Sequence, residues 1–208
     1  NDGDGEMSYG DSPASTNATG VFKMYGATGP MIMSGGKDKA TGLEFGVQYE
    51  APAGYTVINP ISSIIRSLET KDTVNNDTAA TVAAETLISS SLGVSNITFN
   101  NFDAYSAVSN TADIVSAIEY QKAAASVALV VDIGSTGFVE LIKKIEAAGD
   151  TVPEAYKISG QQNPFTTQKA SEIMFDAIAD AIIGGNIGDG KLKLFGSETG
   201  SVDDIAQK

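Results

Sequence analysis

The period of the hydrophobic pattern changes near Asn59, and this change most constrains the fold. Before it, apolar and polar residues alternate, most clearly over residues 43–49, as in a half-buried strand. After it, apolar residues recur at helical spacing, beginning with Ile61, Ile64 and Leu68. The sequence therefore predicts an α+β fold, with a small N-terminal antiparallel β unit followed by a mainly α-helical bundle of about five helices.

The same pattern divides the chain into three parts. Residues 1–56 form the predicted β unit, which has an acidic, calcium-loop-like start and strands at 21–25, 31–33 and 43–49 separated by Gly and Pro turns. We predict the helical bundle over residues 57–187. The remainder, residues 188–208, is predicted to be a tail with one short strand, at 192–195.

Capping residues and glycines set the predicted helix limits. Asn59-Pro60 is a cap followed by proline at the first helical position, and Asn163-Pro164 repeats it. Asn110 and Asp113 have the spacing of a capping box. Gly93, Gly134, Gly149 and Gly184 are predicted helix ends. The first predicted helix starts at residue 60. The other four span residues 77–92, 111 to about 131, 135–149 and 165–183, and a short helical turn is predicted within 99–108.

Composition excludes several kinds of site. The chain has no Cys, no His and no Trp, which removes disulfides, thiolate zinc sites and imidazole bases. Its net charge of -13 argues against nucleic acid as a partner, because phosphates require Lys and Arg. We expect no membrane insertion either, since no run of 18 apolar residues occurs.

Candidate catalytic groups have simpler structural interpretations. Ser62-Ser63 has no base partner in the sequence, and Arg66, the single arginine, is expected to pair with a neighbouring carboxylate. Asp132 follows an apolar run and could be partly buried, although we favour a residue at the rim of a helix end. We therefore expect no enzyme activity.

The first eleven residues contain the most specific chemical pattern. In the EF-hand pattern, oxygen ligands alternate, a glycine allows a sharp turn, and a carboxylate follows at the twelfth place. The five candidate ligands for calcium, in the third, fifth, seventh, ninth and twelfth places, are Asp2, Asp4, Glu6, Ser8 and Asp11. The first ligand would precede the sequence, and Asp replaces Glu at the twelfth place. The alternative is a solvated Asp-Gly turn.

Ordered short motifs give the chain a resemblance to a known family. NDGDGEMSYGD leads into TNATGVFKM, then GGKDKATGLEF and APAGYTVINPISSII follow, and Ser91 to Val94 and Phe102-Asp103 continue the order. This run, over roughly residues 1–130, resembles modules of giant repetitive RTX and cadherin-like bacterial surface adhesins. The resemblance implies a non-catalytic, calcium-associated structural module that is secreted or displayed at the cell surface.

Three functions follow as expectations. The first is a structural or adhesion module of a bacterial surface protein, contacting neighbouring domains, other copies of the chain, or an extracellular glycan or protein. The second is a self-assembling subunit of an extracellular filament or lattice, since the chain does not begin with Met and would be a processed product or a fragment. The third is a helical ligand-binding module, which would need an apolar pocket.

Overall fold

A computed structural model describes residues 14–18, 20–25, 28–37, 45–72, 77–108, 113–152, 165–185, 187–188, 191–194 and 197–201. Over these residues the chain has the predicted α+β fold, with a small antiparallel sheet near the N-terminus followed by helices. The helices are α1 (Pro60–Lys71), α2 (Asp77–Leu92), α3 (Ala104–Val108), α4 (Ile114–Ala147) and α5 (Thr167–Ile183). The strands are β1 (Met31–Met33), β2 (Tyr49–Ala51), β3 (Ile187–Gly188), β4 (Lys191–Leu194) and β5 (Ser197–Ser201).

The N-terminal sheet pairs β1 with β2, with Met33 opposite Tyr49. The predicted alternation over 43–49 is present as burial, because Val47 and Tyr49 are buried and Phe45 packs against the same core. Regular pairing starts only at Tyr49, so the strand lies later than predicted. Leu43 lies outside the described residues.

The segment predicted as a strand at 21–25 has no strand pairing in the structure. Its alternation nevertheless places Phe22 and Met24 against the core, while Val21 and Tyr25 are exposed. The side chains of Phe22 and Met24, and not strand pairing, therefore hold this segment against the core.

Helix α1 starts where the sequence predicts. Asn59 is its N-cap, and the Asn59 side-chain oxygen accepts hydrogen bonds from the backbone N–H groups of Ile61 (2.9 Å) and Ser62 (3.1 Å). The Ser62 hydroxyl in turn accepts from the Asn59 N–H at 2.9 Å, which completes a capping box. Pro60 occupies the first turn, where its missing N–H costs nothing. Such a cap stabilises a helix by about 1 kcal/mol.

The N-terminal sheet and the helices share the larger of two hydrophobic clusters among the described residues. Its centre is α1, where Ile61, Ile64 and Ile65 are fully buried. Side chains of the sheet, such as Tyr49, join them, as do Phe175 and other residues of α5. The two predicted parts, 1–56 and 57–187, are thus packed together over the described residues.

Helix α4 differs most from the prediction. The sequence predicts an end near Gly134 and a new helix after it, whereas α4 runs unbroken for 34 residues. Gly134 lies where α4 meets α5, and a Cβ there would come within 2.8 Å of the Met174 sulfur. The glycine permits close packing and does not end the helix. The predicted stop at Gly149 is confirmed, since Gly149 follows the C-cap with a φ of +77°.

The C-terminal part contains more sheet than predicted. The described residues after α5 form a three-stranded antiparallel sheet in the order β3-β4-β5, where the sequence predicts one strand. The predicted strand corresponds to β4, in which Lys193 lies opposite Glu198 of β5.

Candidate functional site

The predicted calcium ligands Asp2, Asp4, Glu6, Ser8 and Asp11 lie outside the described residues. Among the residues that the structure describes, no group of three or more acidic side chains could hold a metal ion. The calcium site therefore stays a prediction.

The most distinctive described surface is the side of α4 that points away from the core. We call it the outward face of α4 and define it by exposed apolar side chains at Val115, Ile118, Ala125, Leu129 and Ile133. Val115 is 66% exposed and Ile133 is 64% exposed, values that are high for large apolar side chains. These positions recur every three, four or seven residues, so they lie on one side of the helix.

The opposite side of α4 packs into the fold, which leaves the outward face exposed to solvent. Seven side chains of the helix are buried against α1, α3 and α5 or within the fold: Ala117, Tyr120, Val127, Val131, Ser135, Val139 and Ile142. A surface helix normally has one apolar stripe and a polar opposite side. Helix α4 has a buried stripe and a second apolar stripe in solvent, which is typical of an interaction surface.

Charge on α4 is nearly balanced, unlike that of the chain. The helix has three lysines and four acidic residues, a net charge of -1, against -13 for the whole chain. Lys122 lies within the outward face, and Asp132 lies at its edge. Both are exposed, and neither forms an ion pair within the described part of the chain. Asp132 is exposed and lies in the interior of α4, so both suggestions from the sequence, partial burial and a helix end, are wrong.

By length and composition, α4 could also cross a membrane. Core helices of soluble proteins can meet the same criterion, but only 28% of the most apolar 18-residue stretch of α4 is buried. The expectation that the chain does not insert into a membrane stays a prediction. The most apolar stretch of α4 is therefore largely exposed, which is unusual for a protein surface.

A cluster of polar side chains joins β2 and the residue before it to α1 and α5. The Ser62 hydroxyl donates to the Glu50 backbone carbonyl at 2.6 Å, and the Ser63 hydroxyl accepts from the Glu50 N–H at 2.9 Å. The Ser171 hydroxyl of α5 accepts from the Gln48 N–H at 3.1 Å. Because buried backbone groups must be hydrogen-bonded, these serines stabilise the sheet against the helices. Their hydroxyls serve a structural purpose.

The Glu50 side chain lies in the same region, and its pKa is raised. Burial raises its pKa, and the carboxylates of Glu172 and Asp176 raise it further. A hydrogen bond from Gln48, at 3.2 Å, and the charge of Arg66 oppose the rise. Since desolvation is the largest cause, partial burial favours the neutral form of Glu50. It has no nearby base that would indicate catalysis among the described residues.

Buried tyrosines form further links between elements. The Tyr120 hydroxyl of α4 donates to the Asn59 side-chain oxygen at 3.0 Å, and burial raises the pKa of Tyr120 to about 12. The Tyr55 hydroxyl donates to Glu85 of α2 at 2.7 Å, and burial raises the pKa of Tyr55 as well. In Tyr49, burial and then the Asp132 charge raise the pKa to about 12. These phenols stay protonated, and those of Tyr120 and Tyr55 act as hydrogen-bond donors.

The predicted pairing of Arg66 is confirmed. Its guanidinium donates to Glu69 at 2.7 Å, one turn along α1. The other oxygen of Glu69 accepts from the Thr81 hydroxyl of α2, also at 2.7 Å. The side chain of Glu69 is buried, so both hydrogen bonds compensate for its lost hydration. This cluster connects α1 with α2 and carries no catalytic geometry.

The outward face of α4 is a feature that the sequence predictions missed. Its signal was present in the spacing of Val115, Ile118, Leu129 and Ile133, but the predicted helix stopped at about 131, short of Ile133. Only a continuous helix places Ile133 in line with the other three.

Comparisons of the chain with protein-family models, with curated proteins and with solved structures found no match. The residues of the chain itself are therefore the basis for proposing its function.

Proposed function

We propose that this chain is a non-catalytic structural and adhesion module of a bacterial surface protein, located outside the cell and stabilised by calcium. One observation carries the proposal, namely the outward face of α4. Its five apolar side chains are presented to solvent by a long helix whose other side is anchored in the core. Exposed apolar patches of this kind mark protein contact sites.

The buried polar groups support a structural role. The hydroxyls of Ser62, Ser63 and Ser171 are engaged by backbone groups, and Glu69 is engaged by Arg66 and Thr81. In each case the polar side chain joins two elements of the fold. Groups arranged for catalysis would instead converge on a space that a substrate can enter.

The acidic start of the chain supports the calcium part of the proposal. Asp2, Asp4 and Asp11 have the spacing of oxygen ligands in a calcium loop, and the order of motifs after them resembles that of bacterial surface adhesins. Calcium bound there would link the folded module to the segment that precedes it. Neighbouring domains, other copies of the chain, or an extracellular glycan or protein would be its partners.

A single labelling experiment tests this function, because the chain has no cysteine of its own. Val82 is exposed on α2 and Ala125 is exposed on the outward face, so V82C and A125C each provide one thiol. Intact cells producing either variant are treated with a membrane-impermeant maleimide. We expect V82C to react and A125C to be protected, and both to react after denaturation.

Two results would contradict the proposal. If V82C reacts only after the cells are lysed, the chain is not outside the cell. If A125C reacts on intact cells as fast as V82C, nothing covers the outward face, and α4 is not a contact surface.

A further inference from the structure

We propose that the partner of the outward face is a second copy of this chain, whose α4 packs antiparallel to the first. The inference rests on the proposed function and names the partner of the same surface. It follows from the positions of the charged and small residues along α4.

The charges on the outward face are complementary to themselves in the antiparallel direction. Lys122 and Asp132 lie on opposite sides of Val127, at equal intervals along the helix. A two-fold axis at the level of Val127 therefore places Lys122 of one copy opposite Asp132 of the other, and the reverse. Because the same contact occurs twice in a two-fold pair, the complementarity is doubled.

The apolar residues match in the same register. Ala125 and Leu129 also lie at equal intervals from Val127, so a small side chain of one copy faces a large one of the other. Ile118 lies opposite Thr136, and Ile133 covers the edge of the contact. A parallel pair would instead place Lys122 against Lys122 and Asp132 against Asp132, with repulsion at both levels.

The charge of the chain favours α4 as the place where two copies can meet. A chain with a net charge of -13 repels a second copy over most of its surface. Helix α4 has a net charge of only -1, and its apolar face avoids that repulsion. The contact is that of a single helix face, so we expect an association that depends on concentration.

A charge-swap series, measured by sedimentation over a range of protein concentrations, tests the pairing. Within one chain, Lys122 and Asp132 are separated by about 15 Å along the helix, so exchanging them alters few contacts of the monomer. We expect the wild-type chain to form dimers, K122D and D132K each to be monomeric, and the double variant K122D/D132K to dimerise again. K144D changes the same charge at an exposed lysine outside the contact and should dimerise like the wild type.

Circular dichroism of each variant shows whether it keeps the helical content of the wild type. A wild-type chain that is monomeric at every concentration would overturn the pairing, and so would a folded double variant that stays monomeric. If the double variant does not fold, I133K replaces it and should be monomeric, whereas V82K, at a similarly exposed apolar residue, should dimerise. Equal dimerisation of I133K and V82K would again overturn the pairing. A monomeric chain with A125C still protected on cells would leave the proposed function intact and assign the face to another partner.

Discussion

The side chain of Asn59 connects two helices, α1 and α4. Its oxygen caps α1 through two backbone N–H groups and also accepts a hydrogen bond from the Tyr120 hydroxyl. The cap could be predicted because Asn followed by Pro is a local signal. The bond to Tyr120 could not, because 61 residues separate the two and their meeting depends on how α4 packs against α1.

The raised pKa of Glu50 predicts how the free energy of unfolding depends on pH. Its pKa is raised in the folded state, mainly by burial, so the folded chain holds this proton more tightly than the unfolded chain. Ionisation of Glu50 therefore lowers the free energy of unfolding as the pH rises from the ordinary glutamate pKa through the raised one. In E50Q this loss disappears, and the Gln48 amide keeps an oxygen acceptor. Denaturant unfolding should show E50Q and wild type nearly equally stable in acid and E50Q more stable at neutral pH.

E119Q, at an exposed position of α4, is the control for removing one negative charge from the chain. The free energy of unfolding of E119Q should be close to that of the wild type both in acid and at neutral pH. An E50Q variant that is less stable than wild type at neutral pH would show that the Glu50 carboxylate is favourably placed, against the burial argument.

At the scale of elements, helix limits were predictable where local signals determine them. Helix α2 spans the predicted residues and ends before Gly93, whose φ of +67° suits glycine. Helix α5 begins at Thr167, two residues later than predicted, because Thr166 caps it by accepting from the Lys169 N–H at 3.2 Å. Asn163-Pro164, the predicted start, lies outside the described residues, as does Asn110 of the predicted capping box.

The continuity of α4 was not predictable in the same way. A glycine inside a helix costs about 1 kcal/mol relative to alanine, so Gly134 indicated an end when considered alone. Packing against α5 outweighs this cost, since Met174 fills the space that a side chain at Gly134 would need. At the other end, Asp113 takes the N-cap position without a side-chain capping bond. A long-range contact therefore decides that α4 continues past Gly134.

The acidic N-terminal segment carries a prediction of its own. If Asp2, Asp4 and Asp11 bind calcium in the folded chain, calcium stabilises that chain by mass action. Adding millimolar Ca²⁺ to EDTA-treated protein should raise its melting temperature, and the gain is about 2.7 kcal/mol when calcium is at 100 times its dissociation constant. D4N should reduce the shift, because it removes one negative charge from the middle of the loop while asparagine keeps an oxygen ligand.

The matched control is D38N, which removes an aspartate that two lysines already flank in the sequence. Its calcium response should equal that of the wild type. A melting temperature that calcium leaves unchanged, or an equal loss of the response in D4N and D38N, would contradict a calcium site at the start of the chain.

For the whole molecule, the sequence predicted the class of fold but not how its parts join. The change of hydrophobic period near Asn59 separated the β unit from the helices correctly. It did not indicate that Tyr49 of the sheet and Phe175 of α5 would make an edge-to-face contact, with ring centroids 5.8 Å apart. Such contacts bring residues from distant parts of the chain into one core, which periodicity alone cannot specify.

The distribution of charge is also a property of the whole molecule. With 26 acidic and 13 basic residues, the chain has a net charge of -13. Helix α4 has a net charge of -1 over 34 residues, and its exposed outward face is apolar. An exposed apolar face on an acidic chain supports a contact surface at this helix.

Attachment of cells under flow tests most directly whether this surface functions in adhesion. The source cells would carry wild-type, I133K or V82K chains, and the amount of each chain on the cell surface would be matched with an antibody. Ile133 and Val82 have similar exposure, so both lysines should be tolerated by the fold. We predict that I133K loses attachment while V82K retains it. Attachment by I133K equal to that of the wild type would contradict the account.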